Sequence, residues 1–101
     1  MAYYGLHGKL NATPGNGDAL ADILREASSV VRSCRGSKIY VVSRDTAEPD
    51  TVWVTEVWDT KEDHDDSLSS ADVRALIGKA LPMLAGMPEK GQELQVVAGI
   101  E

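Results

Sequence analysis

Residues 52–84 read VWVTEVWDTKEDHDDSLSSADVRALIGKALPML, and the changes of period inside them decide the fold. Residues 51–59 are apolar at alternate positions on both faces: Val52, Val54 and Trp58 on one, Trp53 and Val57 on the other, with Glu56 on the Trp58 side. Period two over this length predicts a strand covered on both sides. Asp59-Thr60-Lys61-Glu62 resembles a capping box, with Asp59 as N-cap, and predicts a short helix carrying His64. Ser70 is the next candidate N-cap. Behind it Val73, Leu76, Ile77, Ala80, Leu81 and Leu84 recur at helical spacing. Pro82 should loosen the last turn, and Gly86 and Pro88 should end it.

The flanks complete the pattern. Residues 3–12 alternate as a strand, with Tyr4, Leu6, Gly8 and Leu10 on one side and Tyr3, Gly5, His7, Lys9 and Asn11 on the other. Thr13-Pro14-Gly15-Asn16-Gly17 breaks it. Leu20, Ile23, Leu24, Ala27, Val31 and Cys34 predict a helix over residues 18–35, with Gly36 leaving it in a left-handed turn. Residues 37–44 predict a second strand, 45–50 a hairpin loop, and 92–100 a fourth strand. The order is β-α-β-β-α-β with a small extra helix. This is an α+β, ferredoxin-like arrangement: one antiparallel four-stranded sheet with helices on one face, in a single domain over residues 1–101. The helices leave the other sheet face open, yet the second and third strands are apolar on both faces. A second copy of the same sheet is the simplest cover, which predicts a homodimer.

Composition narrows the function classes. Ten Lys and Arg face sixteen Asp and Glu, for a net charge of −6, and the basic residues do not cluster. Nucleic acid and anionic membrane surfaces both select the opposite sign. No apolar run is long enough to span a bilayer. The opening MAYYGLHGKL lacks the charged and then apolar pattern of a secretory signal, and the lone Cys34 makes an internal disulfide impossible. The expectation is a cytoplasmic protein.

Several side chains are candidates for chemistry. On a helix His64 shares its face with Ser67 and Leu68, while Glu62, Asp63, Asp65 and Asp66 fall largely on other sides. An inward imidazole can take a proton from a phenol or enol near neutral pH. The plainer reading is a partly buried histidine bonded to a backbone carbonyl. Trp58 is expected in the core while lining a pocket, where its indole can hold a flat ligand or exclude water. Leu68, beside His64, belongs to the same candidate pocket. Arg74 is a candidate for holding an oxyanion, with a plain surface arginine as the alternative. Glu56 is expected to pair with Arg44 or Lys9 across strands, with a catalytic carboxylate as the alternative. His7 is expected to be solvated or interfacial, and Cys34 inert in the core. His64-Asp65-Asp66 does not read as a metal site, because adjacent helical residues point about 100° apart. No phosphate loop, dinucleotide fingerprint or metalloprotease motif is present.

The element order and the run EVWDTKEDHDDSLSSADVRALIGKALPMLAG resemble the antibiotic biosynthesis monooxygenase family, which includes quinol monooxygenases. The match is most specific over residues 52–86, in Glu56-x-Trp58, His64, Ser67-Leu68 and Val73. The resemblance implies a dimeric α/β barrel with a pocket between sheet and helices in each subunit. It implies oxidation of a quinol or polyphenolic aromatic by O2 without flavin, haem or metal. Trp58 would position the ring and His64 would act as base or hydrogen-bond partner. Val54 stands where some oxygenating members carry asparagine. Ser67 stands where haem-degrading relatives carry a second tryptophan. An isomerase or a non-catalytic ligand-binding dimer on the same scaffold is the alternative.

Overall fold

The computed structural model describes residues 2–86 and 90–100. Strand β1 (Tyr3–Asn11) is followed by helix α1 (Gly17–Val31), strands β2 (Ser37–Arg44) and β3 (Thr51–Trp58), helices α2 (Lys61–Ser67) and α3 (Ala71–Ala80), a 3-10 turn at Leu81–Met83, and strand β4 (Gln92–Val96). The four strands form one antiparallel sheet in the order β2-β3-β1-β4. This is the expected α+β, ferredoxin-like arrangement with its extra helix.

Cross-strand register assigns the two faces. Tyr4 pairs with Trp58, Leu6 with Glu56, Gly8 with Val54 and Leu10 with Val52, while Tyr40 pairs with Glu56 from β2. These residues face the helices, as alternation demands. His7 pairs with Thr55, Lys9 with Trp53, and Gly5 with Leu94, all on the open side.

Two core clusters lie under the helices. One joins Leu20, Ile23, Leu24 and Ala27 of α1 to Val52, Leu76 and Ala80. The other joins Val31 and Val73 to Trp58, which is fully buried. Helix α1 packs on β2 and β3, but α3 makes its main contacts with α1 and the following turn. A gap therefore opens between α3 and the β1 side of the sheet. Ile77 and Leu81, expected inside, stay partly exposed beside it.

Local chemistry moves several boundaries. Helix α1 stops at Val31 instead of residue 35. Ser33 Oγ donates to the Val30 carbonyl at 2.9 Å, and the Ser33 and Cys34 amides bond three residues back, so the chain tightens into turns. Cys34 is only half-buried. Gly36 has φ +80°, the left-handed exit expected of it. The N-cap of α2 is Thr60 and not Asp59. The Thr60 hydroxyl accepts from the Asp63 amide at 3.1 Å, while Asp59 sits near Lys38. Ser70 caps α3 as expected. Strand β4 ends at Val96, which pairs with Tyr3, where β1, its neighbour among the described residues, begins. Pro88, expected to help end α3, lies outside the described residues.

The first turn of α1 has an unexpected anchor. Asn16 makes no side-chain cap; instead Asp50, from the β2–β3 loop, accepts from the amides of Gly17 at 3.0 Å and Gly15 at 3.2 Å. A carboxylate there satisfies free amides and meets the positive end of the helix.

Candidate functional site

The gap between α3 and the sheet is a cavity of about 270 Å³. Its walls are mostly apolar: Leu6 and Leu10 from β1, Val54 from β3, Leu24 from α1, Leu76 from α3. The polar side chains at its wall are few: Tyr40 from β2, Glu56 from β3, and His64 and Ser67 from α2. Such a chamber holds an apolar body and offers hydrogen bonds at selected points.

Strand β3 aims Glu56 inward by its parity with Trp58. Beneath it, Trp58 Nε1 donates to Glu56 Oε1 at 3.1 Å. From α2, His64 Nε2 stands 3.9 Å from the same oxygen, and the two side chains are only 14% and 12% exposed. Burial raises the Glu56 carboxyl above its usual range, and the Trp58 bond and the imidazole oppose that rise only in part. The imidazole is fixed from three sides. Its Nδ1 lies 2.9 Å from Asp65 Oδ1, the Trp58 ring meets it edge-on at 5.8 Å, and the Tyr4 ring packs at 5.6 Å. Since an ionised carboxylate only accepts, Nδ1 carries the proton in the neutral ring, and Nε2 is left as an acceptor facing Glu56. Ser67 Oγ donates to the His64 carbonyl at 2.6 Å and ties that turn together.

Two phenols frame this end. Tyr40 shares the cavity wall, and burial followed by the nearby Glu56 charge raises its pKa. Tyr4 is pushed up to about 12, first by burial, then by its hydrogen bond to Glu93. Both stay protonated near neutral pH.

The sequence profile of the antibiotic biosynthesis monooxygenases matches residues 3–79. The chain belongs to this family. A crystal structure from Chloroflexus aurantiacus J-10-fl, provisionally named an antibiotic biosynthesis monooxygenase, is 43% identical, with 96% of this chain and 95% of that one aligned at a TM-score of 0.86. A provisionally named family protein from Nitrosomonas europaea has the same fold at 14% identity, with 92% and 88% aligned and a TM-score of 0.86. Another from Caulobacter crescentus CB15 has it at 18% identity, with 96% and 92% aligned and a TM-score of 0.84. No curated protein matches the chain.

Within this family member the expected site residues separate. His64 and Leu68 both border the cavity. Trp58 does not: it is buried behind Glu56, so it offers its N–H to the carboxyl and no face to a ligand. Arg74 is exposed and away from the wall. It follows the buried Val73 by one residue, a step of about 100° around the helix. Glu56 pairs with neither Arg44 nor Lys9. Arg44 reaches Asp18 at 2.6 Å and the Pro49 carbonyl, and Lys9 lies over the Trp53 ring on the open face. His7 stacks on Trp53 at 5.0 Å on that same face and shares a 2.9 Å hydrogen bond with Thr55 Oγ1.

Glu56 and Tyr40 border the cavity, although the sequence reading gave Glu56 a cross-strand cation as partner and gave Tyr40 no role. The signal was present in the parity of β3, which puts Glu56 on the Trp58 face. A carboxylate among apolar inward positions needs a partner, and His64 is the inward titratable group.

Among the described residues, no group of three or more His, Cys, Asp or Glu side chains is placed to hold a metal ion. None of the described helices is long and apolar enough to cross a membrane.

Proposed function

We propose that this chain is a monooxygenase that oxidises a quinol or polyphenolic aromatic with O2, with no flavin, haem or metal taking part. The carrying observation is the Glu56–His64 pair at the wall of an otherwise apolar cavity. At 3.9 Å the two groups do not bond directly. A substrate hydroxyl about 2.8 Å from each would bridge them. Nε2 takes the phenol proton, and the Glu56 carboxyl, which burial helps keep protonated, donates to the phenolate oxygen that results. The apolar walls keep water from the electron-rich anion while it reacts with O2.

For a hydroquinone with a free ring position the reaction balances without another reagent. Two phenol O–H bonds and one ring C–H bond break, and one oxygen atom forms a new ring C–O bond. The other leaves as water, and the product is a hydroxyquinone. O2 takes all its electrons from the substrate.

The test is O2 uptake with a panel of hydroquinones and polycyclic phenols. His64→Ala should reduce kcat by about 10²–10⁴-fold. Failure of every compound to drive uptake above the His64→Ala background would overturn the reading.

A second reading draws on the same pair. An acid and a base on one wall can move a proton between two carbons of a ligand without O2, as an isomerase does, and Val54 replaces the asparagine of some oxygenating relatives. Turnover of an enolisable ligand under argon would favour it.

The open sheet face supports a homodimer. Val41 and Leu94 stand 47% and 49% exposed there, beside the His7–Trp53 stack. A second copy would bury them, and would leave the cavity, which lies on the helix side, intact. The half-buried free thiol of Cys34 fits a reducing cytoplasm.

A further inference from the structure

The cavity has a direction. Its floor follows β1 from Leu6, opposite Glu56, to Leu10, opposite Val52. At a rise of about 3.4 Å per residue this run is about 14 Å long. Glu56, His64 and Tyr40 stand at one end, and Leu10, Ala80 and Leu84 at the other. The middle of the floor is Gly8, a helix-facing position without a side chain. A Cβ there would already lie 3.1 Å from the Gly91 Cα, and the further carbons of a branched side chain would take space from the floor.

Charge is as uneven as shape. Lys9 borders the cavity, but its ammonium sits on the opposite sheet face, 5.9 Å from the centre of the Trp53 ring. Among the described residues no other Lys or Arg borders the chamber. A ligand carboxylate would enter an apolar space beside Glu56 with no fixed cation to offset its desolvation. A neutral hydroxyl would meet an imidazole acceptor and a carboxyl. The mouth is also apolar, since Leu68, Ile77 and Leu81 line the cavity while remaining partly exposed.

We propose that the ligand is a neutral, elongated phenol, its hydroxyl-bearing ring between Glu56 and His64 and an unbranched apolar tail laid along β1 across Gly8 toward Leu84. Gly8 is then the residue that lets the tail pass, and Leu84 marks its limit. The inference rests on the cavity being the substrate site of the proposed monooxygenase.

The experiment is equilibrium binding under argon of 4-n-alkylphenols from ethyl to octyl, beside 4-n-alkylbenzoates of matching chain. Affinity should rise about fourfold per methylene and level off once the tail reaches Leu84. Each benzoate should bind about tenfold or more weaker than its phenol. Gly8→Val should level the series at a shorter tail. Leu84→Phe, at the far end, should do so by a smaller step and serves if Gly8→Val does not fold. Chain-independent binding, benzoates that match the phenols, or an unchanged series in the folded variants would overturn the inference. Binding needs no O2, so the two readings fail separately. A clear chain-length series without O2 uptake rejects the oxygenase and keeps the elongated phenol. Uptake restricted to short or anionic phenols does the reverse.

Discussion

Trp58 Nε1 and Glu56 Oε1, two residues apart on β3, are joined by a 3.1 Å hydrogen bond under the cavity wall. The indole is fully buried and the carboxyl nearly so, and the bond fixes the carboxyl within 3.9 Å of His64 Nε2. The tryptophan thus reaches the cavity only through the carboxyl it holds.

Trp58→Phe keeps a ring in the core but removes the donor. It should destabilise the fold by about 2–3 kcal/mol, from lost volume and a buried acceptor left unpaired. The same loss should move the Glu56 carboxyl still further up, because the bond is the larger of the two influences lowering it. Denaturant melts and carboxyl NMR titration would read the two effects, and an unmoved carboxyl would show that the bond does not form in solution.

Glu56→Gln isolates the raised carboxyl. A carboxyl whose folded pKa exceeds its unfolded one holds its proton more tightly in the native state. Its contribution to stability is full below the unfolded value of about 4.3 and is lost as pH rises through the folded value. Glutamine does not titrate. The melting temperature of Glu56→Gln minus that of the wild type should therefore be smallest near pH 4 and grow toward neutrality. A difference that shrinks over that range contradicts the assignment.

Asp65→Ala tests how the imidazole is held. Asp65 is exposed, so its bond to Nδ1 is worth about 0–1 kcal/mol. Any loss in kcat should stay within about fivefold, far smaller than for His64→Ala, since Nε2 and Glu56 remain in place. A loss equal to that of His64→Ala would mean that Asp65 belongs to the proton-transfer machinery.

Val41→Lys combined with Leu94→Lys places two charges on the open sheet face. Light scattering should find a dimer for the wild type and a monomer for the double variant, because an unpaired buried ammonium costs several kcal/mol. A wild type that is monomeric at micromolar concentration, or a variant that still dimerises, would remove the sheet face as the interface.

Much of the fold is legible in period and punctuation. Strand parity in residues 51–59 assigned Val52, Val54, Glu56 and Trp58 to one face and Trp53 to the other, as the register shows. Ser70 and Gly36 were readable because a cap and a left-handed exit are local chemistry. The errors lie where a distant segment decides. Thr60 outcompetes Asp59 as cap while Asp59 lies beside Lys38, and β4 stops at Val96, opposite Tyr3, the first residue of β1. The site was legible only in halves. His64 was assigned an inward face by helical period, and Glu56 shared the Trp58 face by strand period, but no local rule relates a strand residue to a helix residue eight positions on.

The sequence alone determined the α+β element order, the two faces of the sheet and the family resemblance, because each rests on periodicity and turn chemistry carried by neighbouring residues. Tertiary structure decided that Trp58 lies behind the wall, that Arg74 stays outside it, and that Glu56 meets His64. Those outcomes depend on α3 packing against α1 and away from β1, and on the angle at which α2 leaves β3, and such packing is set by contacts among residues far apart in the chain.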